Sequence, residues 1–199
     1  MSIPASKVKE LRDKTNAGMM DCKEALQAAH GDFEKAIEYL RKKGLSAATK
    51  RSSRAAKEGT VASYIHMDGK IGILVEINCE TDFVAKTENF RTMARDVAMQ
   101  IAATNPKYVK PEEIPEKELE REKEIYRSQA QQEGKPEKIM DRIIEGKLKK
   151  YYEEVCLLDQ KFIKNGDITV RDLVNSMIAN SGENIIVRRF ARFQLGEEL

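Results

Sequence analysis

Two histidines and three cysteines are all that this chain of 199 residues offers to the commonest catalytic and metal-binding chemistries. His30 and His66 stand in different parts of the sequence, which argues against a histidine-based active site and leaves each as a surface or boundary residue. Cys22, Cys79 and Cys156 are isolated, odd in number and outside any C-x-x-C arrangement, so they read as reduced thiols rather than as a disulfide frame or a zinc site. There is no G-x-x-x-x-G-K-[ST] loop, no G-x-G-x-x-G turn, no H-E-x-x-H and no G-x-S-x-G elbow. The expectation is a protein that is not an enzyme and carries no cofactor or metal of its own. No apolar run approaches the ~20 residues that span a bilayer, and Met1 to Glu10 lacks the apolar core of a secretory signal. A soluble cytoplasmic protein is expected. Excess charge of one sign is also missing: 35 Lys plus Arg meet 33 Asp plus Glu, and a net charge of +2 sets up no field for a polyanion.

What is present divides unequally. Ser6 can cap a first short helix carrying Val8 and Leu11, which Thr15 to Gly18 breaks. Ala25, Leu26 and Ala29 share a face of a second helix that Gly31 ends. Asp32 caps a third, with Phe33, Ala36, Ile37 and Leu40 inward and Gly44 as its stop. Residues 1–44 therefore read as a three-helix module resembling the ubiquitin-associated type. Met19 and Met20, placed before the second helix, are core filler or a soft knob for a partner, with one inward and one outward as the compromise. Residues 45–58, rich in Ser, Ala and basic side chains, read as a linker or a solvated helix serving as a hinge. No aromatic residue is interleaved there for base stacking, so no direct nucleic-acid contact is expected.

From residue 59 to residue 199 the pattern is that of an antiparallel α+β core. Gly59–His66 and Ile71–Asn78 form a hairpin around the D-G turn signal of Met67 to Lys70. Thr87 caps a helix whose Phe90, Met93, Ala94, Val97, Ala98 and Ile101 pack on it. Three of the five prolines fall in the connection Asn105 to Pro115, and a charged helical arm of about 116–150 follows, with Pro136 at the first position of its second helix and Gly146 inside it. Asn165-Gly166 signals a turn, and Thr169 with Asp172 forms a capping box for a last helix stopped by Gly182. Glu183 to Leu195 closes the sheet as a third strand, with Arg188, Arg189 and Arg192 among its apolar residues.

One stretch organises the core. In IGILVEINCETDFVAK, from Ile71 to Lys86, the residues Ile71, Ile73, Val75 and Ile77 line one face of a buried strand, and then Cys79-Glu80-Thr81-Asp82 breaks the pattern before the apolar pair Phe83-Val84. Local pattern permits two readings. Phe83 folds back into the core while Thr81 or Asp82 caps the next helix, or an acid and an aromatic stand at a rigid strand end, aimed at a partner.

EINCETDFVAK (Glu76 to Lys86) and LRDKTNAGMMDCKEAL (Leu11 to Leu26) resemble the two signature stretches of the bacterial elongation factor Ts family, the guanine-nucleotide exchange factors of elongation factor Tu. EEVCLLDQKFIKN and ENIIVRRFARFQLGE resemble later segments of the same family, so the likeness covers nearly the whole chain in order. It departs at Lys161, where members often carry Pro, and at Gln100, where they often carry His. The resemblance implies a protein that binds elongation factor Tu and promotes GDP release. It places Asp82 and Phe83 near the magnesium site of the partner's nucleotide-binding domain, with Thr81 and Val84 shaping the probe, and sets Arg12, Met19 and Met20 against a helix of that domain. The length matches the short family form, which implies a homodimer. Two other functions compete: a helix-docking adaptor without effect on nucleotide, and an RNA-binding protein using the basic residues of 45–58 and the closing strand.

Overall fold

The computed structural model describes residues 3–15 and 17–197. Helices α1 (Ala5–Thr15), α2 (Met19–Ala28) and α3 (Phe33–Arg51) enclose a small core of Val8, Leu11, Cys22, Ala25, Leu26, Ala36 and Ile37. Ser6 lies inside α1 instead of capping it. Asp32 does cap α3, its Oδ1 accepting from Lys35 N at 3.1 Å.

Gly44 does not stop α3. The helix runs through it to Arg51, because at Gly44 it crosses the last helix closely enough that a Cβ would meet Asn175 at 3.5 Å, and because Ala47 and Ala48 beyond it pack on the main core. Tertiary packing outweighs the ~1 kcal/mol preference against a mid-helix glycine. The first half of the stretch read as a hinge is thus part of a 19-residue helix.

The sheet has the order β1-β2-β5, from β1 (Glu58–His66), β2 (Ile71–Cys79) and β5 (Ile186–Gln194), antiparallel throughout. Ile73, Val75, Ile77 and Cys79 are buried on one face, where α5 (Glu88–Thr104) covers them with Phe90, Met93, Val97 and Ile101. Each large apolar side chain removed from water there contributes about 1.5–3 kcal/mol, and these residues form part of the main core. Gly59 is required where it stands: at φ +141°, a Cβ would lie 2.1 Å from Ile77 O. Between Glu76 and Ile77 the β2–β5 register slips by one residue, from Glu76↔Arg189 to Ile77↔Val187. This bulge leaves both Arg188 and Arg189 toward solvent, each paired with Glu76. Arg192 turns inward opposite Ile73.

Two helices, α6 (Glu116–Gln132) and α7 (Met140–Val155), pack on each other through Leu119, Tyr126, Ala130, Met140, Ile144, Leu148 and Tyr151, an apolar seam distinct from the main core. Pro136 precedes a short 3₁₀ turn, Glu137–Ile139, and is not the first residue of α7. Among the described residues, nothing lies within 4 Å of a Cβ built on Gly146, so close packing by them does not account for that glycine.

A small second sheet pairs β3 (Lys161–Phe162) with β4 (Asn165–Thr169). Its turn is Ile163-Lys164, and Asn165-Gly166 begins the returning strand. Gln100, fully buried, ties this hairpin to α5: its amide donates to Lys161 O at 3.1 Å and accepts from Ile163 N at 2.8 Å. The capping box of Thr169 and Asp172 opens α8 (Val170–Ser181), and Gly182 at φ +75° closes it.

Candidate functional site

β2 ends at Cys79, whose buried thiol is pushed up to about 11 and whose Sγ lies 3.1 Å from Thr81 O. Strand pairing stops there: Cys79 faces Glu58 on one side, and the β5 ladder ends at Asn78↔Ile186. Thr81 is extended, and its Oγ1 accepts from Val84 N to cap α4 (Asp82–Ala85), a single helical turn. A turn of that length cannot persist alone. Val84 and Ala85 are buried beside the sheet and fix it from below, while Thr87 caps the start of α5 and fixes its far end.

The solvent side of the turn carries the other side chains. Phe83 is 76% exposed, a large aromatic ring with no place in the core. Asp82 is exposed and paired with Lys86 one turn on, an interaction that lowers its carboxyl below the ordinary range. Of the four residues singled out in this stretch, Thr81, Asp82 and Phe83 face outward and Val84 inward.

Local pattern gave no sign of what holds Glu80 and Thr81. The carboxylate of Glu183, just past the end of α8, accepts from Glu80 N and Thr81 N at 3.0 Å each through Oε2, and from Thr81 Oγ1 at 2.6 Å through Oε1. In return, Glu80 Oε1 accepts from Asn184 N at 2.6 Å and pairs with Arg54. Asn184 Nδ2 donates to Arg54 O at 2.8 Å, and Arg51 Nε to Gly182 O at 2.7 Å. The arginines of the basic stretch are thus engaged at the base of the turn.

Arg12 lies on the exposed side of α1, and Met19 and Met20 occupy the first turn of α2, 45% and 72% exposed. Both methionines point outward, contrary to the expected compromise of one in and one out. The physical reason is that Leu11, Cys22, Ala25 and Leu26 already fill the module core. Arg12 and Met19 line one surface depression with Asn89 of α5 and Asn180 of α8, and Gly18 N donates to Asn180 Oδ1 at 2.8 Å. The depression therefore runs from the three-helix module to the first turn of α5, six residues beyond Phe83.

His66 stacks on Tyr64 at a strand end, and His30 follows α2 in a left-handed conformation at φ 52°. Among the described residues, no three His, Cys, Asp or Glu side chains are grouped to hold a metal ion, and no helix is long and apolar enough to cross a membrane.

Comparison with known proteins gives a consistent result. A family model described as "Elongation factor TS" matches residues 5–197. Elongation factor Ts of Syntrophus aciditrophicus (strain SB) is similar at 73% identity, over 100% of this chain and 99% of the relative. The similarity to elongation factor Ts of Carboxydothermus hydrogenoformans is 60% over 99% of this chain and 91% of the relative, and to that of Geobacter sulfurreducens 58% over 100% and 92%.

Proposed function

The chain belongs to the elongation factor Ts family, a family of translation elongation factors, and we propose that it binds elongation factor Tu in the cytoplasm and promotes release of GDP, with no covalent chemistry and no cofactor of its own. The observation that carries this reading is Phe83: an aromatic ring 76% exposed on a helical turn whose start is held by Glu183 through the backbone of Glu80 and Thr81. Asp82 and Phe83 act as a wedge that displaces the elements cradling magnesium and phosphate, with Thr81 and Val84 setting its shape from the base.

By linkage, a wedge that weakens nucleotide is itself weakened by nucleotide to the same degree. Accelerating release by ~10⁴ requires about 5.5 kcal/mol of differential interaction in the release transition state, at about 1.36 kcal/mol per decade. Burying Phe83 supplies ~1.5–3 kcal/mol of that. A second contact is therefore needed, and the exposed Arg12, Met19 and Met20 serve as a grip that holds the partner while the wedge works.

The outer face of the sheet supports a homodimer. Val61, Ile65, Leu74 and Phe193 are each about half exposed or more, and Ile65, Gly72 and Phe193 stand side by side across three strands. The same face of a second copy would cover this surface isologously. Sedimentation equilibrium is expected to give the mass of two chains, and a monomer at micromolar concentration would contradict it. A nucleic-acid partner is not part of this reading, since Arg51, Arg54, Arg188 and Arg189 are engaged within the chain.

Release of a fluorescent GDP analogue from elongation factor Tu, followed by stopped flow, tests the exchange role. A rate that rises with added protein and saturates is expected. Binding without acceleration would reduce the protein to a docking adaptor.

A further inference from the structure

Glu80 and Thr81 present a problem that the sheet does not solve. Their N–H groups lie beyond the last paired residues of β2, yet a turn that must keep its aim under load cannot leave its first two amides to exchange with water. Glu183 accepts from both, and from the hydroxyl that caps the turn, so one carboxylate fixes the backbone at two successive residues and the rotamer of Thr81. An ionised acceptor makes shorter and stronger bonds than a neutral one. The contact spans 102 and 103 residues of sequence, from the close of α8 to the tip, and Glu80 answers it by accepting from Asn184 N. Neither carboxylate reaches outward past the turn as Phe83 does, because both are occupied at its base.

We propose that Glu183 is a positioning residue for exchange: it aims the Asp82–Phe83 wedge through the backbone of Glu80 and Thr81 without touching the partner. The proposal rests on the exchange reading above. Glu183 sets where the ring of Phe83 meets the partner. The grip at Met19 and Met20 sets how tightly the partner is held and does not depend on Glu183. Losing the clasp therefore lowers the maximal rate of stimulated release and leaves the half-saturating concentration in place.

The test measures stimulated GDP release for Glu183→Ala and Glu183→Gln, each alone and combined with Phe83→Ala. Gln keeps the shape and one acceptor oxygen, so it stays folded if Ala does not, and both are checked by melting and circular dichroism. Glu183→Ala is expected to lower the maximal rate about ten-fold, within the ~100-fold that a 1 Å misplacement can cost. Glu183→Gln should fall between Ala and the native chain. Because Glu183 acts through Phe83, adding either substitution to Phe83→Ala should bring almost no further loss, the non-additivity expected of coupled residues. A full additional loss in the Phe83→Ala background, or an unchanged rate in folded Glu183→Gln and Glu183→Ala, would overturn the proposal. Unchanged stimulated release in Phe83→Ala alone would remove the wedge and overturn the proposal with it, whereas no stimulated release by the native chain is a separate outcome, in which the exchange reading itself fails.

Discussion

Phe83 and Met20 are exposed to nearly the same degree, 76% and 72%, yet the two patches are mounted differently. Phe83 stands on one helical turn between α5 and a strand buried on one face, with hydrogen bonds to a carboxylate at its base. Met20 stands in the first turn of α2, which has no side-chain cap, on a module whose core is mostly small residues beside Leu11, Leu26 and Ile37. A ring with two torsions on a stiff mount suits displacement of a partner's structure. A flexible thioether on a small module suits adaptation to a surface. Under the proposed exchange role, the difference assigns rate to the tip and affinity to the grip.

The largest expected effect comes from removing the mount. Phe90 is fully buried in the first turn of α5, and Phe90→Ala should cost about 3–5 kcal/mol of unfolding free energy, read as a lower urea midpoint. A loss under ~1 kcal/mol would mean that the sheet and α5 are not the rigid part, and the comparison would break.

A smaller effect sharpens the other side. The double variant Met19→Ala with Met20→Ala should leave stability within about 0.5 kcal/mol, since both side chains are exposed. Its half-saturating concentration in exchange should rise about 5- to 30-fold, as expected for ~1–2 kcal/mol of lost contact. A fall in maximal rate at unchanged half-saturation would instead place the methionines in the wedge.

The smallest effect concerns the helical pair, a third region outside this division. Glu118 accepts from Tyr151 and Tyr108, which lowers its carboxyl, and the same contact raises Tyr108 to about 12. The Glu118 contribution is present above its ordinary value of 4.5 and is lost as pH falls through its lowered one. The Tyr108 contribution is present below 10 and is lost as pH rises toward about 12. Stability from this cluster should be flat between about pH 5 and pH 10. Spectrophotometric titration should find Tyr108 among the last tyrosines to ionise, and Glu118→Gln should bring its midpoint down toward 10.

Most of the mount was legible because it is local. Period-two burial in Ile73, Val75 and Ile77, the helical spacing from Phe90 to Ile101, and the caps at Asp32, Thr87 and Thr169 are all written within a few residues of each other. The misreadings arose where distant packing overrode a local signal. Gly44 looks like a stop until α8 is laid across it, and Asn165-Gly166 looks like a turn until Gln100 fixes the hairpin two residues earlier. At the site, Thr81 to Val84 stood out as a broken pattern, but whether Phe83 faced in or out was undecided by pattern alone. Glu183 was invisible because its partners lie about a hundred residues upstream, and a carboxylate after a helix-ending glycine has no distinctive spacing.

The division of labour is tested most directly by Phe83→Ala, measured in parallel for stimulated GDP release from elongation factor Tu and for thermal unfolding. Losing a burial of about 1.5–3 kcal/mol should slow maximal stimulated release roughly 10- to 100-fold, with the melting temperature essentially unchanged. A variant that melts earlier and loses activity only in proportion to its unfolded fraction would contradict the account and return Phe83 to the core.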